Sequence, residues 1–303
     1  MRCCVYNPAA DRRPIAIGDR SFAASGDVSD LHSGDWLIVE EQDRKAGDAV
    51  VVDWAQVAFT SGNTVEVEAP FRTAFPDARE WDPNHSGLGF FKVPKLVEGV
   101  QFRNFTIVVP DSGQGAPGIC VFAAQHTLVE NITVQDPDGQ ALYSYLAKDV
   151  TVSNSHGNGG QILNEFGATV DLRLDSNTFG STEDAGVGLD FGTGFFQVIG
   201  NNVPSSGDIG LYLLIGIHDG TVTGNSISYV NSTGNAVGIL ARGTQRVSIT
   251  DNYLAGGAGA NSVGLSIAPQ YDLDVTIPSL DNTIAPNSFG PSWGVDYDPT
   301  DEP

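Results

Sequence analysis

Two carboxylates stand at matching places in neighbouring sequence segments. Glu165 is the fourth residue of ILNEF (162–166) and Asp190 the fourth residue of VGLDF (187–191). If these segments are strands stacked one above another, the two acids are neighbours at a strand spacing of about 4.8 Å. Acids that close repel, so one is expected to hold its proton while the other stays ionised. Glycoside hydrolysis uses such a pair, about 5 Å apart in retaining enzymes and about 6.5–9.5 Å apart in inverting ones. Tyr143, Tyr145 and Tyr212 fall on the same face and offer flat rings that suit the apolar faces of sugars. Three other readings stand beside this one: a Ca²⁺ site, a solvated acidic pair on a chain rich in acids, and a shift in the alignment. A lyase or epimerase would need different parts. Those are a cation to neutralise a uronate and a group to take its α-proton, for which Tyr145, Lys148, His126, His156 and Arg242 are the candidates.

The elements that must carry these residues are strands. Five-residue segments with apolar first, third and fifth positions recur at 119–123, 142–146, 162–166, 187–191, 211–215, 237–241 and 263–267, Ser144 and Asn164 being the polar exceptions. Alternation of period two marks a half-buried strand, and no stretch sustains a helical period. Aligning the segments gives two outward columns. One holds Cys120, Tyr143, Leu163, Gly188, Tyr212, Gly238 and Gly264; the other holds Phe122, Tyr145, Glu165, Asp190, Leu214, Leu240 and Ser266. In the first column, Gly188, Gly238 and Gly264 are expected to leave a shallow groove.

A second feature repeats with the strands. Asn104, Asn131, Asn154, Asn177, Asn201, Asn225, Asn252 and Asn282 each sit beside short apolar alternation, 23 to 30 residues apart. Two or three short strands per repeat, eight times over, predict a β-solenoid in which coils bury each other's apolar faces. Asparagine at a corner suits a ladder of side-chain amides and tolerates left-handed turns. In the first three coils the Asn lies one residue closer to the preceding apolar pair, which points to a bulge or a change of corner.

With this period and pattern, residues 95–290 resemble the right-handed parallel β-helix proteins of the pectate-lyase-like superfamily. The stretch before them differs. WLIV (36–39), AVVVDWAQVAF (49–59) and TVEVE (64–68) read as strands, with Ser61-Gly62-Asn63 as a hairpin turn. This run, followed by GVQFRNFTI, resembles the segment that leads into the β-helix of viral tail-spike and fibre proteins. The expected organisation is all-β: an N-terminal β cap over 1–94, about eight coils over 95–290, and an acidic tail over 291–303. The resemblance implies a surface- or virion-borne protein that binds cell-surface polysaccharide and hydrolyses it, working as a homotrimer or within a larger assembly. The alternatives are a non-enzymatic structural or adhesive β-helix and a polysaccharide lyase or epimerase.

Composition narrows the partners. Fifteen basic and 37 acidic residues give 303 residues a formal net charge of −22. Such a surface repels polyphosphate backbones and anionic leaflets, which argues against nucleic acid and membrane partners. Many Asp and few Lys also fit a saline medium. Polysaccharide is the expected partner, Glu165 and Asp190 the expected catalytic pair, and Tyr143, Tyr145, Lys148, Tyr212 and Arg242 the expected binding residues. No cofactor is required, and Ca²⁺ is the ion the acidic pair would suit. Neither the three cysteines nor the five histidines show a zinc-type spacing. The first residues lack an apolar run of about 7–15 residues, so no cleavable secretory signal is expected. Trp36 and Trp54 are expected in the cap core, Trp81 and Trp293 on exposed surfaces. The glycosylation sequons at Asn104, Asn131 and Asn231 are a trivial product of the Asn repeat.

Overall fold

The computed structural model describes residues 6–8, 15–24, 28–42, 49–75, 88–93, 96–109, 117–135, 139–158, 164–180, 185–230, 236–257, 261–271, 276–291 and 293–299. Trp81, His85, Leu163, Asn231, Cys3 and Cys4 lie outside them. The chain divides into two compact units: residues 1–97 with 271–276, and residues 98–270 with 277–303.

The first unit is built on an antiparallel sheet whose strands run in the order Tyr6–Pro8, Leu88–Lys92, Trp36–Gln42, Ala49–Ser61, Thr64–Val67, Ser21–Ala23. The predicted hairpin at Gly62 joins the fourth and fifth of these, with Gly62 at φ 59°. Phe22 packs edge-on against Phe71 and Phe90, and Trp54 meets half-buried Trp36 edge-on, so aromatic residues share the core with aliphatic ones such as Leu37, Ile38 and Val52.

The second unit is a parallel β-helix. Among the described residues one stack of eight strands comprises Ile119–Phe122, Leu142–Tyr145, Asn164–Gly167, Val187–Asp190, Ile209–Leu213, Val237–Arg242, Val263–Ala268 and Val295–Asp298. The last of these lies in the stretch read from sequence as an acidic tail. A second stack runs through Lys148–Ser153, Val170–Asp175, Gly194–Ile199, His218–Thr223 and Gln245–Thr250. A third runs through His156–Asn158, Thr178–Gly180, Asn202–Ser205, Ser226–Val230 and Tyr253–Gly257. The long strand Ala124–Gln135 contributes to both. Inward residues of the three stacks, among them Leu189, Leu174 and Ile227, form one continuous apolar core. Each such side chain contributes about 1.5–3 kcal/mol by leaving water.

Corners between stacks are made by left-handed residues. Between the first and second stacks these are Ala123, Leu146, Ala168, Phe191 and Ile215, at φ 47–59°. Between the second and third they are Asn104, Asn131, Asn154, Ser176, Gly200, Gly224 and Asp251. This resolves the irregular Asn repeat. In the first three coils the Asn is itself the left-handed corner residue, and from Asn177 to Asn252 it is the next residue, turned inward and buried. There Asn177, Asn201, Asn225 and Asn252 link in a ladder, each Nδ2 donating to the next Oδ1 at 2.9–3.0 Å. The ladder ends on Asn287 rather than the expected Asn282, which instead binds Thr244 in another column. Trp293, expected on the surface, packs against the core and donates its indole N–H to the Leu254 carbonyl at 3.0 Å.

Candidate functional site

The first stack places most of the predicted residues on one face, in a register that differs from the one read in the sequence. Tyr143 pairs with Glu165, Glu165 with Gly188, and Gly188 with Tyr212. Leu240 and Ser266 continue this column, in place of Gly238 and Gly264. The neighbouring column runs Phe122, Tyr145, Gly167, Asp190. Glu165 and Asp190 are therefore not stacked in one column. They lie on a diagonal, in adjacent strands and two residues apart in register. Two residues of rise and one strand spacing put their Cα atoms about 8 Å apart. Gly167 and Gly188 occupy the opposite diagonal. The expected groove of three glycines is also corrected. A Cβ on Gly238 or Gly264 would strike the next strand's backbone, and Trp293 or Phe289, so neither opens the outer face.

Glycine at 167 is what lets the two columns close up. A Cβ there would sit 2.6 Å from Asp190 Oδ1, 2.8 Å from the Phe191 ring and 3.1 Å from the Tyr145 ring. Asp190 is drawn in until it is 5 % exposed, and the Tyr212 hydroxyl, on a residue 8 % exposed, donates to its Oδ2 at 3.3 Å. Tyr212 belongs with Leu240 and Ala185 to an apolar cluster outside the main core, against which Ile209, Leu214 and Val237 pack. Glu165 remains half-buried and accepts a short hydrogen bond from Gln140 Nε2.

Beside the acids three rings cluster with nearly parallel planes. Tyr143 and Tyr145 lie 6.3 Å apart with planes 7° from parallel. Phe122, 43 % exposed, stacks on Tyr145 at 6.2 Å and 14°. Phe191 meets Tyr145 edge-on. Burial first, then the charges of Glu165, Cys120 and Asp190, push the Tyr143 phenol well above the usual tyrosine range. Both effects favour the protonated phenol. Burial likewise pushes the Cys120 thiol up, which keeps it un-ionised beside Tyr143.

The remaining predicted residues are dispersed. Lys148 lies on the second stack, where its Nζ donates to Asp171 Oδ2 at 2.6 Å. Arg242 ends the strand two beyond that of Asp190. His126 is on the second stack, between Asp149 at 2.5 Å and Glu98 at 3.6 Å. His156 is exposed on the third. Of the candidates for proton abstraction, Tyr145 and Arg242 thus lie on the first stack, Lys148 and His126 on the second and His156 on the third. Gln140, Phe122 and Phe191 belong to the face and were not singled out from sequence. Phe122 stood in the right column and Gln140 precedes its strand, whereas Phe191, read as the inward fifth residue of VGLDF, is a left-handed corner residue instead.

These stacks, ladder and face define a parallel β-helix protein. The family described as "Periplasmic copper-binding protein (NosD)" matches residues 100–302, about two thirds of the sequence, and the chain belongs to that family. No curated protein sequence matches it. Among solved structures it is similar to the tailspike protein gp49 from Pseudomonas phage LKA1, at 14% identity and TM-score 0.46, over 97% of this chain and 61% of that one. It is similar to the Pseudomonas phage phi297 tailspike gp61, at 12% identity and TM-score 0.48, over 87% and 45%. The Azotobacter vinelandii mannuronan C-5 epimerase AlgE6 A-module aligns at 14% identity and TM-score 0.46, over 68% and 58%. The chain spans less than two thirds of the length of each of these structures.

Proposed function

We propose that this protein binds a polysaccharide across the face formed by Phe122, Tyr143, Tyr145, Glu165, Asp190 and Tyr212, as a surface- or virion-borne protein of tail-spike type. The observation that carries this is the cluster of partly exposed rings beside an acid diagonal. Flat, partly exposed rings contact sugar faces, while carboxylates and a phenol meet their hydroxyls. In this reading the same face hydrolyses the chain. Half-buried Glu165 meets the glycosidic oxygen, and Asp190 on the next strand is the second carboxylate that hydrolysis needs.

Glycan-array binding followed by reducing-end assay tests both halves. Tyr143→Ala and Tyr145→Ala are expected to weaken binding at least about tenfold each. Glu165→Gln is expected to abolish product release and to retain binding. Release undiminished in Glu165→Gln would remove the hydrolytic role. Failure of every array glycan to bind would remove the whole reading.

Copper, carried by the family description, does not fit this face. Among the described residues no three of His, Cys, Asp and Glu cluster as a metal would require. The one described sulfur is that of Cys120, a free exposed thiol that stands outside any such group of three. The sole Met is residue 1, outside the described segments.

A further inference from the structure

Glu165 follows a break in the pattern of the core; its role here rests on the hydrolytic reading above, in which that carboxyl meets the glycosidic oxygen. The inward column behind it runs Ile119, Leu142, Asn164, Val187, Leu211, Ile239 and Leu265. Asn164 is the one polar member, is fully buried, and directly precedes Glu165. An amide in that place is costly unless its polar atoms are bonded, and here they are. Its Oδ1 accepts from the Leu142 N–H at 3.2 Å, and its Nδ2 donates to the carbonyls of Gly157 at 3.2 Å and Gly186 at 3.0 Å. A Cβ on Gly157 would lie 2.3 Å from Asn164 Oδ1, so glycine there gives the amide its room. The start of the strand that carries Glu165 is thereby tied to the coils before and after it.

Gln140 is fixed in its turn. It lies two residues before the strand Leu142–Tyr145, and its carbonyl accepts the Gly118 N–H at 3.0 Å. A Cβ on Gly118 would lie 2.4 Å from Val134 Cγ1 and 2.7 Å from the Ala141 carbonyl, so only glycine allows this close approach. Between the two anchored stretches the Gln140 side chain reaches across one coil, and its Nε2 donates to Glu165 Oε2. With the backbone held, side-chain rotation is the freedom left to Glu165, and this hydrogen bond restricts it. An amide suits that task because it has no titration of its own and grips alike across the working pH range. A reacting group needs such support, since its own strand fixes where it starts and not where its oxygens point.

We infer that Gln140 is a positioning residue for Glu165, its amide holding the carboxyl in the orientation from which it meets the glycosidic oxygen.

Carbon NMR of protein labelled at its glutamate carboxyls, with Glu165→Gln assigning the signal, follows this group without any ligand. A donated hydrogen bond favours the ionised form of a carboxyl. Gln140→Met, which keeps the length and loses the donor, is therefore expected to raise the Glu165 titration midpoint by at least about half a unit. On the array glycans that wild type cleaves, reducing-end release by Gln140→Met is expected to show kcat at least about tenfold lower and KM within about twofold. Gln197→Met, which removes an amide that accepts from Arg173 on the second stack, is expected to change neither. The same midpoint shift in Gln197→Met would overturn the inference, by assigning the effect to any lost amide. A raised KM with kcat kept would overturn it too, making Gln140 a sugar-binding residue. An unchanged midpoint in a protein that still cleaves would overturn the inference and leave the hydrolytic reading intact. A shifted midpoint in a protein that cleaves no array glycan would overturn both.

Discussion

Asn225 donates to the Val198 carbonyl and to Asn252 Oδ1, both at 2.9 Å, while its own Oδ1 accepts from the backbone N–H and the side-chain amide of Asn201. It is buried, so no water replaces these partners. Asn225→Ala is expected to leave several polar groups orphaned and to cost about 3 kcal/mol, measured as a shift in denaturant midpoint. The same substitution at Asn154, an exposed corner residue, would cost far less. Sequence marked both as members of one repeat, because it shows that an Asn is present but not which side of the left-handed residue it occupies. The one-residue offset in the first three coils was the visible trace of that difference. At the site, residue types were legible and partners were not. Glu165 and Asp190 were found on the correct face, yet Gln140, which donates to Glu165, lies before its strand, and Phe191, read as an inward strand residue, turns a corner and meets Tyr145.

Strand partners were harder to read than strands. Tyr143, Glu165, Gly188, Tyr212 and Leu240 are successive members of one column, spaced 22, 23, 24 and 28 residues apart. Turn length varies from coil to coil, and a slip of two residues leaves every side chain on its own face. The alternation therefore could not detect that ILNEF was aligned two residues out, and that slip moved Glu165 into the column of Asp190. Between strands of the second stack, side chains do fix neighbours. Arg246 Nε and Nη2 both donate to Asp219 at 2.7 Å, and His218 Nδ1 donates to it at 3.0 Å. Burial alone would raise the Asp219 carboxyl. The hydrogen bonds and charges of Arg246 and His218 outweigh it and hold the carboxyl far below the usual range. A depressed carboxylate stabilises the fold above its unfolded pKa of about 3.9 and loses that contribution as pH falls. Asp219→Asn is thus expected to lower the melting temperature at pH 7, with the gap to wild type narrowing below about pH 4.

At the scale of the whole chain, the sequence was most informative about architecture. Period, alternation and turn residues together required stacked parallel coils, and those are what form. It was less informative about the charge. A net charge of −22 does not choose a fold, but it does set how strongly the folded surface repels itself. Screening shortens from about 10 Å at 0.1 M salt to about 3 Å at 1 M. The melting temperature is therefore expected to rise between about 0.1 M and 2 M NaCl, and a scanning calorimeter would show a flat or falling trend if it does not. The buried ladder has one more consequence, for how such a chain can lengthen or shorten. Asn177 and Asn201 are 24 residues apart and contact directly, as do Asn201 and Asn225. Removing one full coil between two rungs rejoins like to like: amide to amide, corner to corner, strand to strand. Removing half a coil sets a corner against a strand and strands the amides without mates. Length in this molecule comes in whole turns, and a gene that gains or loses a piece here keeps a folded product only in steps of one coil.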